Sequence, residues 1–347
     1  KLAAHWRSDS SLGEVGLLSP SESAITTGNI AYSVNSFSKL GQKDFQGILN
    51  YRTNHFGMQN FDFNVSGAIN NQWLYTASIY QNFDPGSFDL EFTNYADRTE
   101  IYHAGLTRLF NNGRGKISLL YKHSRSENPA SYANAAPFIY VGDGSVKEID
   151  GFKLGTNSYV PQNGSFPYMD VRDGKMKTWN LGDGSENRAL ISDYRFRNDL
   201  LWKFNLKYMD APRANYVDFG GSTISEVTAN DGFTLSNGDP YEGLAEGRRT
   251  WLHVGKVKNF LITSELNKTF GNHDLRLGVN EWYYHLDYYS SSLQWMATVQ
   301  NYPQLLTSTT TSSLDPTLTG QRVQTYGYNE LSPEYTKGYE NKLALYF

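Results

Sequence analysis

Between Asn60 and Phe83 the chain alternates apolar and polar residues. Phe61, Phe63, Val65, Gly67 and Ile69 fall on one face and Asn60, Asp62, Asn64, Ser66 and Ala68 on the other, because strand side chains alternate with period two. Asn70-Asn71-Gln72 supplies turn chemistry, after which Trp73, Tyr75, Ala77, Ile79 and Phe83 share a face against Thr76, Ser78, Tyr80 and Asn82. The pattern predicts a hairpin with arms of about ten residues. One face is apolar, with aromatics near the turn; the other is polar and charged only at Asp62. A water-soluble sheet buries such an apolar face under a second layer, whereas a membrane barrel turns it to lipid.

The alternation recurs along the chain. Phe45, Gly47, Leu49 and Tyr51 oppose Asp44, Gln46, Asn50 and Arg52, and the short connection Asn54–Gly57 leads into the hairpin. A polar loop runs from Asp84-Pro85-Gly86 to about Arg98. Then Tyr102, Ala104, Leu106 and Phe110 alternate with His103, Gly105 and Thr107, and Asn111–Gly115 signals a turn into Ile117, Leu119 and Tyr121. Residues 125–187 hold no periodic segment. From Arg188, Tyr194, Phe196, Leu200, Trp202 and Phe204 share a face opposite Asp193, Arg195, Arg197, Asp199 and Lys203, with a tight turn expected near Asn205. After a second long loop (219–248) come Phe260, Ile262, Leu266 and Phe270, the turn Gly271–His273, then Leu275, Leu277, Val279 and the word Trp282-Tyr283-Tyr284. A third loop (290–334) precedes Leu343, Leu345 and Phe347.

From Lys43 onward this makes ten strands, with short turns and longer connections in alternation. Such a meander puts every short turn at one end and every long loop at the other, as in an up-and-down membrane barrel. A soluble Greek-key sandwich has no reason to segregate its loops. Residues 1–42 differ: short apolar words alternate with Ser and Gly without a sustained period, and read as short strands and loops.

Composition narrows the classes. Mean hydropathy is −0.55, and no apolar run approaches the roughly 18 residues of a membrane helix. That leaves membrane strands open, because they alternate. Aromatics make up 15% of the chain, with 25 Tyr, which suits interfacial girdles and sugar-stacking surfaces alike. A net charge of −4 argues against a nucleic-acid binder. There is no cysteine, hence no disulfide framework or thiolate metal site. The chain opens on Lys1 without a signal-peptide pattern, so its N-terminus is expected to be processed or truncated.

The segments FDFNVSGAINNQWLYTASIYQNFDPGSF (61–88) and IYHAGLTRLFNNGRGKISLLYKHS (101–124) resemble the TonB-dependent receptors of the bacterial outer membrane, particularly the large nutrient-uptake type. The resemblance implies an all-β fold, an antiparallel up-and-down transmembrane β-barrel forming part of a plugged barrel of about 22 strands. It makes residues 1–42 the end of a plug-like segment and 43–347 barrel strands with long extracellular loops. It also implies import of an oligosaccharide, peptide or metal chelate. The implied partners are the TonB energy-coupling complex, outer-membrane lipid, a surface lipoprotein lid and the nutrient ligand. No cofactor is implied.

On this reading the ligand-binding candidates are the loop aromatics Tyr140, Tyr168, Trp179, Tyr216 and Trp295, which could stack on a sugar face. The competing reading packs them loop against loop. Asp193, Arg195, Arg197 and Asp199 are lumen-lining candidates, against the plainer reading of a salt-bridge ladder in the wall. Trp282-Tyr283-Tyr284 reads as girdle. Asp143-Gly144-Ser145 with Asp150 is a faint calcium-loop pattern lacking the alternating Asp/Asn of an EF-hand. No catalytic residue and no metal site is expected: the histidines lack zincin spacing, and neither a G-x-S-x-G nor a P-loop occurs. Two alternatives remain: a soluble, secreted β-rich carbohydrate-binding protein, and a complete ten-stranded outer-membrane hydrolase ending at LALYF.

Overall fold

The computed structural model describes residues 9–27, 31–86, 94–127, 139–147, 165–170, 173, 175–180, 184–214, 216–300, 303–304, 306–308 and 329–347. The N-terminal segment holds β1 (Leu12–Leu18), α1 (Pro20–Thr27) and β2 (Ser33–Ser38), with β1 and β2 paired antiparallel. The wall follows as β3 (Gln46–Thr53), β4 (Gln59–Ala68), β5 (Trp73–Asp84), β6 (Asp97–Phe110) and β7 (Gly115–Glu127). Short pieces β8 (Ile139–Tyr140), β9 (Val146–Lys147), β10 (Ser165–Asp170) and β11 (Lys175–Asn180) make two small hairpins. The wall resumes with β12 (Ser185–Arg197) and β13 (Leu201–Arg213). β14 (Tyr216–Val227) and β15 (Phe233–Thr234) precede the long hairpin β16 (Gly243–Phe270) and β17 (His273–Thr298); β18 (Thr307–Ser308) and β19 (Asn329–Tyr346) close the described chain.

Ten of these strands form one antiparallel sheet in sequence order from β3 to β19, with β14 added beside the upper part of β16. β3 and β19 are the two edges, and the described strands do not close on themselves. The turns between β4 and β5, β6 and β7, β12 and β13, and β16 and β17 are two to four residues long and lie on one rim. The other connections between neighbouring wall strands leave from and return to the opposite rim.

Local chemistry explains the tight turns. Asn111 and Asn112 adopt φ of 49° and 53° and Gly113 of 83°, a left-handed stretch that Asn and Gly tolerate best. At the β4–β5 turn the Asn70 side chain accepts from the backbone N–H groups of Gln72 and Trp73, both at 2.9 Å.

Two sequence expectations need correction. The turn expected near Asn205 lies at Asn198–Leu200; Asn205 is mid-strand in β13, between Asp193 and Thr263. Asn198-Asp199 is ordinary turn chemistry, hidden because apolar alternation continues through it. Among the described residues, the loops expected at 219–248 and 290–334 are in large part strand. β16 and β17 pair continuously from Phe270↔His273 to Ala245↔Thr298. Beyond the wall both faces of a strand can be wet, so backbone pairing persists without an apolar signal.

Which face is protected decides the environment. In β7, Ser118 is fully buried while its neighbour Leu119 is 55% exposed. Asn64, Ser66, Thr76, Ser78, His103 and Thr107 are buried as well, on the same face as Ser118. Phe61, Phe63, Ile79, Tyr102, Leu106 and Ile117 are exposed on the other. The order of a water-soluble sheet is reversed.

The exposed face is layered. Next to the short-turn rim, Phe110, Tyr194, Phe196 and Trp202 cluster, with ring centroids 5.0–6.3 Å apart. Aliphatic residues follow, with Leu106, Leu119, Leu206 and Ile262 in one row. Above them Tyr121, Leu190, Tyr208, Phe260 and Tyr283 share a row. Charge comes next: His123, Arg188, Asp210 and Lys258, then Glu100, Arg125, Glu186 and Arg213. From Trp202 to Asp210 is about 27 Å of strand, which once tilted matches an apolar band roughly 25 Å tall. Charge interrupts the layering at Arg108, in the row of Trp73 and Ile117, and at Glu281. Glu281, hydrogen-bonded by Asn341 Nδ2 at 3.3 Å, shares its row with Ile262 and Leu343.

Candidate functional site

The polar face carries hydrogen-bonding groups along its length, and its two halves differ. Across β4 to β7 it carries small hydroxyl and amide side chains that bond from strand to strand. Asn64 Nδ2 donates to Ser78 Oγ at 2.7 Å, Thr107 and Ser118 hydroxyls meet at 2.8 Å, and Asn60 Nδ2 donates to Asn82 Oδ1 at 3.1 Å. These pairs follow from register: Asn64 sits opposite Ser78, and Thr107 opposite Ser118.

The N-terminal segment lies over this half. The Ser10 N–H donates to both Asp62 carboxylate oxygens, at 3.0 and 3.2 Å, and its hydroxyl donates to the same group. Asp9 stands 3.9 Å from Lys122 Nζ. Gly41 passes so close to Leu74 that a Cβ there would meet Leu74 Cβ at 2.8 Å. His103, opposite Lys122, is buried, and neither ring nitrogen has a hydrogen-bond partner among the described residues.

Charges collect on the polar face near the short-turn rim. Lys116 Nζ is 3.7 Å and Arg195 Nε 3.5 Å from Asp193. One row over, Lys203 (3.0 Å), Arg276 (3.8 Å) and the Tyr346 hydroxyl (3.2 Å) converge on Glu265. The Tyr346 ring lies across Gly278, where a Cβ would meet it at 2.1 Å. Of the lumen-lining candidates, Asp193 is buried in this network with Arg195 beside it. Arg197 and Asp199 are exposed at the turn end, where the Arg197 N–H donates to the Arg114 carbonyl at 2.9 Å.

The aromatic candidates fall on strands. Tyr140 is in β8, Tyr168 in β10, Trp179 in β11, Tyr216 in β14 opposite His253, and Trp295 in β17 opposite Arg248. The side chains of all five lie outside the described residues. The Asp143 carboxylate, part of the faint calcium pattern, accepts from the Ser145 hydroxyl and from the Ser145 N–H at 2.8 Å, and these hydrogen bonds hold it below the usual carboxylate range. Among the described residues no group of three or more His, Asp or Glu could hold a metal ion.

Sequence reading missed the second half of the polar face. Trp282 pairs with Leu261 and Lys342, and Tyr284 with Asn259 and Glu340, on the face that carries Glu265 and Asn280. Tyr283 alone of the three faces the apolar side, stacked on Tyr339 at 6.3 Å. The signal was strand parity: counted two by two from Gly278, Trp282 and Tyr284 fall with the polar set. Trp282 and Tyr284 stack at 5.4 Å, Lys342 Nζ lies 5.1 Å over the Trp282 ring, and His253 Nδ1 bonds the Tyr288 hydroxyl farther up.

Among the described residues no helix is long and apolar enough to cross a membrane. No protein-family model and no curated protein matches the chain. Among solved structures it is similar to the siderophore receptor PiuA from Acinetobacter baumannii, with a TM-score of 0.41 and 10% identity over 96% of this chain and 52% of that one. It is also similar to the ferric-catecholate import receptor Fiu from E. coli K12 in its closed form, with a TM-score of 0.38 and 9% identity over 90% of this chain and 49% of that one. The chain spans about half the length of each.

Proposed function

We propose that this chain forms wall, lining and outer hairpins of a bacterial outer-membrane importer of the TonB-dependent kind, and that it does no covalent chemistry. One observation carries the proposal: the reversed burial of Ser118 and Leu119, repeated from β4 to β7. A soluble sheet with Leu106, Ile117 and Leu119 bare would associate or precipitate, while in hydrocarbon that face is at home and the paired backbone satisfies itself. Layering by aromatic rows and then charge fits the two interfaces of a bilayer. The soluble carbohydrate-binding alternative needs a second layer over the apolar face, and no described residue provides one.

On this reading the short turns face the periplasm and the long hairpins the medium. The edges β3 and β19 need further strands, and the segment ending near residue 42 belongs to a plug. The aromatics Tyr140, Tyr168, Trp179, Tyr216 and Trp295, on the outer strands, would meet the nutrient first, under a lipoprotein lid where one exists. Asp193, Arg195, Arg197 and Asp199 would line the path, and the TonB complex would supply the energy.

Fractionation of producing cells, followed by gel migration with and without boiling in SDS, tests this. The expected result is outer-membrane residence and heat-modifiable migration. Residence in the soluble fraction without detergent, as a species of 39.3 kDa, would overturn it in favour of the secreted β-domain.

A further inference from the structure

Among the described residues His103 is the one buried histidine, and neither of its ring nitrogens is hydrogen-bonded. Other histidines are engaged: His123 Nε2 lies 3.3 Å from Glu186 Oε1, and His253 Nδ1 bonds the Tyr288 hydroxyl. A buried polar group without a partner costs free energy, so the position needs a reason. His103 stands opposite Ser78 on β5 and Lys122 on β7. One row below, a Cβ on Gly105 would meet Leu120 Cδ2 at 3.1 Å and Thr76 Cγ2 at 3.2 Å, so the wall there is closely packed. One row above, Ile101 is buried. Over this part of the polar face lies the N-terminal segment, whose Asp9 is 3.9 Å from Lys122 Nζ.

Two charged groups act on the ring, Lys122 from β7 and Asp9 from the segment. From Thr76 to Asn82 the same face of β5 is uncharged. On β4 the nearest charge is Asp62, already occupied by Ser10, and Lys207 on β13 is the next cation along the face. An uncharged imidazole fits this setting at the cost of two idle nitrogens. An imidazolium needs acceptors for both of its N–H groups. Ser78 Oγ already receives Asn64 Nδ2 at 2.7 Å. The Asp9 carboxylate accepts from the Ser11 N–H at 2.8 Å and faces Lys122, so a charged ring would compete with that lysine and be repelled by it. Once the segment lifts, the ring meets water and neither penalty applies.

We propose that His103 makes the docking of the N-terminal segment on β4 to β7 sensitive to acid: docked, the ring is uncharged, and its protonation drives the start of the segment off the wall. Few bonds hold that start, Ser10 on Asp62 and Asp9 against Lys122, so the cost of one buried charge weighs heavily against them. Proton uptake confined to the lifted state, with a free imidazole value of about 6.5, weakens docking about twofold near pH 6.5 and about thirtyfold near pH 5. Docking is therefore full above that value and is lost as the pH falls below it. The latch rests on the contacts between segment and wall; only its consequence, a less obstructed lumen in acid, rests on the importer reading.

The test is hydrogen exchange on the whole chain in detergent, from about pH 7.5 to about pH 5, expressed as protection factors so that the intrinsic pH dependence of exchange divides out. Protection at Ser10 and Ser11 should fall about ten- to thirtyfold over that range, while the Thr76 and Leu106 amides of the wall stay constant. His103→Gln, which takes up no proton, should keep its protection throughout. Lys122→Met frees Asp9 for the ring and should move the midpoint of release to lower pH. Each variant is first shown to keep heat-modifiable migration. Flat protection in the unchanged chain overturns the proposal. So does a response that survives His103→Gln, which would assign the sensing to Asp9 or Asp62, and so does a midpoint unmoved by Lys122→Met. None of these results touches the importer reading, which stands or falls on membrane residence.

Discussion

At the residue scale, Glu281 and Asp62 show how little polar chemistry each face tolerates out of place. Glu281 lies in the apolar band beside Ile262 and Leu343, with one hydrogen bond from Asn341. Carboxylates on a lipid face cost less than lysine or arginine, though they still cost. Glu281→Leu should stabilise the wall by about 1 kcal/mol, read as a higher urea midpoint for refolding into lipid vesicles. A midpoint unchanged or lowered would mean that Glu281 meets a polar partner, not lipid. Asp62 is the reverse case, a charge whose acceptor positions are filled by Ser10. Bonds to a charged acceptor contribute roughly 1.5–3 kcal/mol, so Asp62→Ala should release the start of the N-terminal segment. Faster hydrogen exchange at Ser10 and Ser11, with β4 and β5 amides unchanged, is the expected signature.

At the element scale, strand parity is the quantity that matters. Leu119→Arg places a cation on the lipid face of β7 and should cost about 2–4 kcal/mol near mid-band, measured as a lowered unfolding midpoint in vesicles. If the face were wet, the same change would be nearly neutral. Helix α1 gives a pH prediction away from the wall. Both the Ser19 N–H and its hydroxyl donate to Glu22, and these bonds hold its carboxyl below the usual value. A depressed pKa gives stability that is full above the unfolded value and is lost as pH falls through the folded one. Amides at the start of α1 should therefore exchange faster only when acidified below the ordinary glutamate range.

The same parity explains what the sequence disclosed. β4 to β7 were legible because each has one exposed apolar face and one buried polar face, so alternation is strict. The β12–β13 turn was misplaced because Leu200 and Trp202 continue the apolar rhythm across Asn198-Asp199. The outer halves of β16 and β17 were hidden because no apolar face is required there. Trp282 and Tyr284 were legible in principle; treating Trp282-Tyr283-Tyr284 as one block, where a strand demands that it be split, concealed them.

At the scale of the whole molecule, the β16–β17 hairpin is out of proportion to any bilayer. Its pairing continues thirteen residues beyond the charged row at Lys258, to Ala245, about 45 Å of strand. There Val227, Ala245 and Leu306 are buried together, with Phe233, Leu235, Tyr241 and Met296 packed around them. On the importer reading, an outpost with its own small core, held that far from the lipid, is within reach of an antibody, a phage tail fibre or a neighbour's protease. A peptide tag inserted at Asn237-Gly238, beside that core, should be reached by antibody on intact cells, and the surface that gathers food would also be the one that advertises the cell.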